Sequence, residues 1–174
     1  DDSGAHTIVT ASGSCLGAMR SKYPRYAKAP QARVVHATEF LAPLIGDGRL
    51  RLTRPVRRTV TYHDPCYLGR QSEPPVVWSG EYQTTHGCMK YADPPKGINR
   101  GVGGVFDEPR HILHAIPGIE FVEMPRIREY AFCCGGGGGR VWMEEFEAKE
   151  KISEVRARDA AEVGAELLIT ACPF

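Results

Sequence analysis

The sequence predicts an α/β fold: a largely parallel sheet of about five strands flanked by helices, with a long inserted loop. Three observations predict it. Short β-rich runs alternate along the chain with segments of helical character, the order that generates parallel sheets. The chain has 174 residues, 42% hydrophobic and 25% charged, enough for one well-buried domain and short for two. Cys66, Cys133, Cys134 and Cys172 each fall just after a predicted strand or in the loop that follows one. Ligands of open α/β sheets sit at those carboxyl ends, so cysteines distant in sequence can converge on one edge.

The elements follow in order. His6-Thr-Ile-Val-Thr10 reads as the first strand, and a helix is expected over 14–22, stopping before Pro24. Arg33-Val-Val-His-Ala37 is the second strand. Thr38 is placed to cap a helix carrying Phe40, Leu41, Leu44 and Ile45, which Gly46-Asp-Gly48 ends. Thr59-Val-Thr-Tyr62 is the third strand and runs into His63-Asp-Pro-Cys66. Asp107 is placed to cap a helix with Pro109 in its first turn, continuing to Ala115 and stopped by Pro117-Gly118. Ile119-Glu-Phe-Val-Glu123 is the fourth strand. A long charged helix is expected over 142–163, with Trp142, Phe146, Ile152 and Val155 inward, and Leu167-Leu-Ile-Thr-Ala171 is the fifth strand.

Two features interrupt this alternation. The segment 71–103 is rich in Pro, Gly and Tyr, shows neither helical nor alternating period, and carries Trp78, Cys88 and the pairs Pro74-Pro75 and Pro94-Pro95. A structureless stretch of that length inside a compact domain reads as an insertion, with Cys88 an incidental thiol on it. Separately, Gly4-Ala-His-Thr-Ile-Val-Thr-Ala-Ser12 and Gly164-Ala-Glu-Leu-Leu-Ile-Thr-Ala-Cys172 align without gaps at an offset of 160. That self-similarity predicts a duplicated domain: 1–15 as the tail of a preceding repeat and 16–174 as the next, truncated before its last cysteine. A chance match between two strand ends is the alternative.

Composition excludes several classes. The net charge of +1 gives no bulk field for nucleic acid or an anionic membrane. No apolar run approaches bilayer length, and no secretory pattern opens the chain. Six cysteines could form three disulfides in a secreted protein, but the chain has apolar segments able to build its own core. In a reducing compartment, clustered cysteines point to metal or redox chemistry.

The densest chemistry lies in Phe132-Cys-Cys-Gly-Gly-Gly-Gly-Gly-Arg140. Glycine gives up more backbone freedom on folding than any other residue, so five in a row make sense where backbone must approach something bulky. Adjacent thiols suit a metal cluster better than a disulfide with each other, because neighbouring residues close a strained ring. A flexible linker is the plainer reading, and the apolar flanks Phe132 and Val141-Trp-Met143 argue against it.

His63-Asp-Pro-Cys-Tyr-Leu-Gly-Arg70, Val105-Phe-Asp-Glu-Pro-Arg110, Phe132-Cys-Cys-Gly135 and Ala171-Cys-Pro-Phe174 occur in that order. Together they resemble the cysteine-rich CCG domain of the B and D subunits of heterodisulfide reductase, found also in the iron–sulfur subunit of glycolate oxidase and related oxidoreductases. The resemblance covers nearly the whole chain apart from 71–103. It implies Cys66, Cys133, Cys134 and Cys172 as ligands of a [4Fe-4S]-type cluster, cubane or non-cubane. It also implies an electron-transfer role facing a disulfide, a quinone pool or a 2-hydroxy acid dehydrogenase partner. The implied partners are other iron–sulfur or flavin subunits, a membrane-anchored one among the candidates, and not nucleic acid. The expected location is cytoplasmic, reaching a membrane only through partner subunits or segments outside this chain. Two departures stand out: the chain stops at Phe174, before the family's final cysteine, and Ser12 stands where a preceding repeat would carry a cysteine.

Roles for the neighbours follow from chemistry. Gly135, Gly136 and Gly137 can turn backbone N–H groups toward sulfur, which raises a cluster's reduction potential. Arg140 can offset an anionic cluster, with a surface ion pair as the alternative. His63 can act as a proton donor during thiol release, or anchor its loop to Asp64. The Arg-rich run 49–58 is most simply a solvated face. Two other readings compete. A structural zinc module would use the same four cysteines without redox activity, against which the irregular spacing speaks. A nucleotide-binding domain would use the glycine run as a phosphate loop, but neither a P-loop nor a dinucleotide fingerprint is present.

Overall fold

A three-stranded parallel sheet, with Arg58–His63 in the centre and Ile119–Phe121 and Leu167–Thr170 on its edges, positions the cysteines. The computed structural model describes residues 4–26, 31–74, 76–144 and 147–173. In chain order the strands are β1 (Thr7–Thr10), β2 (Arg33–His36), β3 (Arg58–His63), β4 (Glu81–Thr85), β5 (Met89–Asp93), β6 (Ile119–Phe121) and β7 (Leu167–Thr170). The α-helices are α1 (Gly13–Gly17), α2 (Tyr23–Tyr26), α3 (Ala37–Gly46), α4 (Asp107–Ala115) and α5 (Ile152–Glu162). β3 pairs Val60 with Phe121 of β6, and its other edge pairs Val60 with Leu167 and His63 with Thr170 of β7. The middle of β3 is the most buried stretch of the sheet, with Val60, Thr61 and Tyr62 at 0–1% exposure.

All five expected parallel strands form, but not as one sheet. β1 and β2 make their own parallel pair, in register from Thr7 with Arg33 to Thr10 with His36. The two sets meet through side chains: Leu16, Val34, Leu68 and Val105 form a buried cluster, with Ile8, Met19 and Ala171 packed against it. Leu16 and Leu68 are wholly buried, so helix α1 joins the sets where a backbone ladder was expected. The close fit is visible at Gly13, where a Cβ would stand 2.8 Å from the Leu68 nitrogen.

Several elements differ from expectation. The segment 71–103 is not structureless: β4 and β5 pair antiparallel, Glu81 with Asp93 through Thr85 with Met89. Their turn places His86 and Gly87 at φ +49° and +72°, left-handed dihedrals that suit a tight hairpin. Both faces of the hairpin are largely solvent-exposed, so no apolar alternation marked it. The lobe is tied at its base, where the Glu73 carboxylate accepts from Gly101 N–H (2.8 Å) and Gly103 N–H (3.0 Å). Asn99 bonds the backbone of Pro74 and Val76, and Trp78, Tyr82 and Lys96 stack over the hairpin.

The long helix over 142–163 is shortened to α5. Arg140 donates to the carbonyls of Met143 (3.3 Å) and Glu144 (2.8 Å), acceptors that a continuous helix would need for itself. Trp142 and Ile152 are consequently exposed, Val155 is half-buried, and Phe146 lies outside the described residues. The buried positions of α5 are Arg156, Asp159 and Ala160. Upstream, the helical path does not stop before Pro24. It continues from α1 through a π-helical turn, Ala18–Lys22, into α2, where Pro24 occupies the first turn and lacks only an N–H that needs no partner there. The cap of α3 is His36 rather than Thr38. His36 Nδ1 accepts from Thr38 N–H, and Glu39 accepts from His36 N–H at 2.8 Å. Helix α4 carries Pro109 in its first turn as expected, but Asp107 is its first residue and not its cap: the cap position is Phe106, with no side-chain hydrogen bond, and Asp107 instead adds acidic charge to the first turn.

Candidate metal centre

Because β6, β3 and β7 run parallel, their carboxyl ends open on the same rim. β3 ends at His63, three residues before Cys66, and β7 ends at Thr170, two residues before Cys172. After β6 the chain passes through a single 3₁₀ turn, Arg128–Tyr130, and returns to the rim with Cys133 and Cys134. Cys66, Cys134 and Cys172 line one narrow cavity together with His63, Pro65, Tyr67 and Gly137. Cys133 is exposed beside it, and all four thiols are free. Cys172 also borders a second, open cavity of about 400 Å³, lined by Thr10, Ala11 and Ser12 on one side and Thr170 and Ala171 on the other. The two self-similar segments thus face each other across it.

Electrostatics show what this gathering needs. Burial pushes the Cys66 thiol above its ordinary value, and charge on Cys134, Cys133 and Cys172 pushes it further, with Arg70 opposing. The Cys66 thiol therefore resists becoming a thiolate unless a cation joins the site. The glycine run answers part of that. Gly135 N–H points to Cys133 Sγ (3.3 Å) and Gly136 N–H to Cys134 Sγ (3.4 Å), while Gly135, Gly138 and Gly139 take φ of +84°, +65° and +84°. A Cβ on Gly137 would stand 3.8 Å from Cys66 Sγ, inside the cavity.

The flanking residues are held from behind. Asp64 and Arg110 form a buried bidentate pair (2.7 and 2.8 Å), Arg110 also binds Glu123, and Asp64 accepts from Arg128 N–H at 2.8 Å. Burial works against the Arg110 charge, but its hydrogen bonds to Asp64 and Glu123 and the charge of both carboxylates together outweigh it and raise the Arg110 pKa. The Asp-Pro turn before Cys66 is therefore clamped to α4 and to the segment leading to Cys133. His63 does not anchor to Asp64; its Nδ1 accepts from Arg156 Nε at 3.0 Å. Burial, then the Arg156 charge, lowers the His63 pKa to about 4, so the ring is neutral near pH 7. Arg140 lines a different cleft, of about 370 Å³, with Gly135, Gly136 and the start of α5. Cys88 is exposed in the β4–β5 turn, and Cys15 is exposed on α1. Ser12 accepts from Cys15 N–H as the cap of α1.

Four free thiols around one rim are the donor chemistry that an iron–sulfur cluster takes. Among the described residues, no group of three or more His, Cys, Asp or Glu side chains is placed to hold a single metal ion. Thiolates on different irons of one cluster stand farther apart than the ligands of one zinc, which all lie about 2.3 Å from a common point.

Sequence reasoning missed Arg156, Asp159 and Arg126, the charged residues behind His63. Three spaced positions of α5, 156, 159 and 160, carried the signal, but two are charged and read as a solvent face.

The cysteine-rich domain family described as CCG matches residues 82–174, more than half of the chain, including Cys133, Cys134 and Cys172. The chain belongs to the CCG cysteine-rich domain family. The resemblance drawn from the motifs is thereby borne out; the matched stretch begins after Cys66, which the structure brings to the same cavity as Cys134 and Cys172. Among curated relatives, a dihydromethanophenazine:CoB–CoM heterodisulfide reductase subunit of Methanosarcina barkeri is 35% identical over 173 residues, covering 98% of this chain and 34% of that protein. The probable iron-sulfur-binding oxidoreductase FadF of Bacillus subtilis is 35% identical over 167 residues, covering 96% and 19%. The EtfAB:quinone oxidoreductase of Syntrophomonas wolfei is 29% identical over 177 residues, covering 98% and 20%. The CCG chain spans between about a fifth and a third of the length of these relatives. No solved structure matches it. Among the described residues, no helix is long and apolar enough to cross a membrane.

Proposed function

We propose that this CCG chain is an iron–sulfur cluster-binding electron-transfer domain of an oxidoreductase related to heterodisulfide reductase. The observation that carries this reading is the meeting of Cys66, Cys134 and Cys172 at one cavity, with Cys133 beside it. The ligands are Cys66, Cys133, Cys134 and Cys172, and the cluster is of the [4Fe-4S] type. When bound, such a cluster supplies reversible one-electron chemistry. The chain's own residues do the rest. Gly135 and Gly136 direct N–H groups at sulfur, Gly137 keeps the approach to Cys66 open, and Arg140 adds positive charge beyond the glycine run. Neutral His63, its Nδ1 accepting from Arg156, offers the cavity its ring N–H as a hydrogen-bond donor, a form that steadies a released thiolate rather than protonating it.

Relatives named as a heterodisulfide reductase subunit, an iron-sulfur-binding oxidoreductase and a quinone oxidoreductase support the redox class. A disulfide, a quinone pool or a 2-hydroxy acid dehydrogenase partner is the other end of the electron path, reached through further iron–sulfur or flavin subunits. The cytoplasmic location, with membrane attachment only through partners, belongs to the same proposal. So does the division into the tail of a preceding repeat (1–15) and the cysteine-rich domain (16–174). The β1–β2 pairing draws 33–36 into the sheet of that tail.

Anaerobic purification of the full-length protein tests the reading. It predicts a brown protein whose visible absorbance bleaches on reduction, with roughly four irons and matching sulfide per site. Serine at Cys66, Cys133, Cys134 or Cys172 removes the iron, whereas Cys88→Ser keeps it. Colourless protein, or one equivalent of zinc in place of iron, refutes it.

A further inference from the structure

Behind the cysteine cavity runs a buried polar chain that reaches the cavity through His63. Arg156, on α5 and 3% exposed, donates through Nε to His63 Nδ1 (3.0 Å) and through Nη1 to Asp159 (3.0 Å). Its Nη2 is buried and has no hydrogen-bond partner among the described residues. Asp159 in turn accepts from Arg126 through both oxygens (3.1 and 2.5 Å). Arg126 lies 3.9 Å over the ring of Phe132, the residue before Cys133. One connected set of contacts therefore links the residue preceding the cysteine pair to the histidine that shares a cavity with Cys66.

The donor chemistry decides the tautomer. A guanidinium has five N–H donors, no acceptor, and is never deprotonated in a protein. A hydrogen bond from Arg156 Nε to His63 Nδ1 is possible only if Nδ1 carries a lone pair. The ring proton then sits on Nε2, the nitrogen turned away from Arg156. The set also holds two arginines against one carboxylate, a surplus of one positive charge, with Arg156 buried and Arg126 partly open to water. A buried arginine with an unpaired donor is a poor choice for packing alone, because an apolar side chain would fill the space without desolvating a charge.

We propose that Arg156 is a positioning residue of the cysteine site: it fixes His63 as the Nε2–H tautomer, so that the ring offers the thiolates a donor and never an acceptor. Asp159 and Arg126 brace Arg156 against the segment bearing Cys133 and Cys134, and the surplus charge favours an anionic occupant of the cavity. The inference rests on the four cysteines being cluster ligands, but its first test does not. Partners that fix the tautomer of a histidine beside a metal act in this way elsewhere, through the nitrogen facing away from the centre.

Histidine-selective ¹⁵N labelling of the full-length protein, stripped of metal under anaerobic conditions, reads which nitrogen bears the proton. The His63 signal is assigned by its loss in His63→Gln. The wild type is expected to show the Nε2–H form alone, and a wild-type Nδ1–H form overturns the proposal without any variant. In Arg156→Met the ratio of Nε2–H to Nδ1–H should fall about tenfold or more, the loss expected for one hydrogen bond from a charged donor. An unchanged ratio overturns it. In iron-loaded protein Arg156→Met should also lower the midpoint potential. Arg156→Lys separates charge from geometry: a retained potential with a scrambled tautomer assigns Arg156 to charge alone and refutes positioning. Protein that binds no iron sinks the cluster reading and leaves the tautomer result standing. A wrong tautomer in iron-loaded protein does the reverse.

Discussion

Replacing Arg110 with methionine tests whether the turn bearing Cys66 is held by a buried ion pair. The Asp64 side chain is 1% exposed and Arg110 7%, and the guanidinium also reaches Phe106 O at 2.8 Å. Removing one partner of such a pair leaves a buried carboxylate without its counter-charge, at a cost of about 3–5 kcal/mol. Asp64 keeps the Arg128 N–H bond, and Glu123 is partly open to water, so the lower end, about 3 kcal/mol, is expected. That is a large fraction of the about 5–15 kcal/mol that holds a domain folded. Urea unfolding under anaerobic conditions, with wild type and variant in the same metal state, reads it. With a slope of about 2 kcal/mol/M the midpoint should fall by about 1.5 M. The double variant Asp64→Leu/Arg110→Met should lose less than the two single variants together, because it leaves no buried orphaned charge, Glu123 being partly open to water. A loss below about 1 kcal/mol for Arg110→Met, or strict additivity in the double variant, would refute the clamp.

Three further outcomes follow from the same geometry. His63 has a folded pKa of about 4, below its unfolded value of 6.5, so the unfolded chain binds more protons between those limits. Its contribution is full above pH 6.5 and shrinks as pH falls toward 4. Metal-free protein should lose about 2 kcal/mol between pH 7.5 and pH 5, less so in His63→Gln, and equal slopes in urea titrations would contradict this. Gly137→Ala meets Cys66 Sγ only at van der Waals distance, so unfolding midpoints should move by less than about 0.5 kcal/mol while iron retention falls. Iron retention equal to wild type would show that the cavity beside Cys66 is not used. Glu73→Ala removes the acceptor at the base of the hairpin lobe, so amide exchange at Gly101 and Gly103 should accelerate, and unchanged protection there would rule out the tie.

Much of the site was legible because its chemistry is local in sequence. Cys-Cys-Gly followed by more glycine places two thiols beside backbone free to approach them wherever the chain puts them, and the Gly135 and Gly136 N–H groups do point at Cys133 and Cys134. The parallel strands were equally plain from their β-branched runs. What escaped were features whose signal depends on a distant partner. The β4–β5 hairpin buries neither face, so its strands lack the alternation that betrays a half-buried strand. The charged positions of α5 looked solvated because their partners, His63 and Arg126, are 93 and 33 residues away in sequence.

The sequence by itself determined the residue types of the proposed site, their order, and the likeness between segments 4–12 and 164–172, because side-chain chemistry and local backbone preference are properties of neighbours along the chain. Only the tertiary structure decided that the strands divide into a pair and a triplet. It also decided that Arg110 clamps the turn before Cys66, and that Arg156 stands behind His63. Burial and hydrogen-bond partnership are set by residues brought together across the fold, and a charge reads as solvent-facing until its buried partner is known.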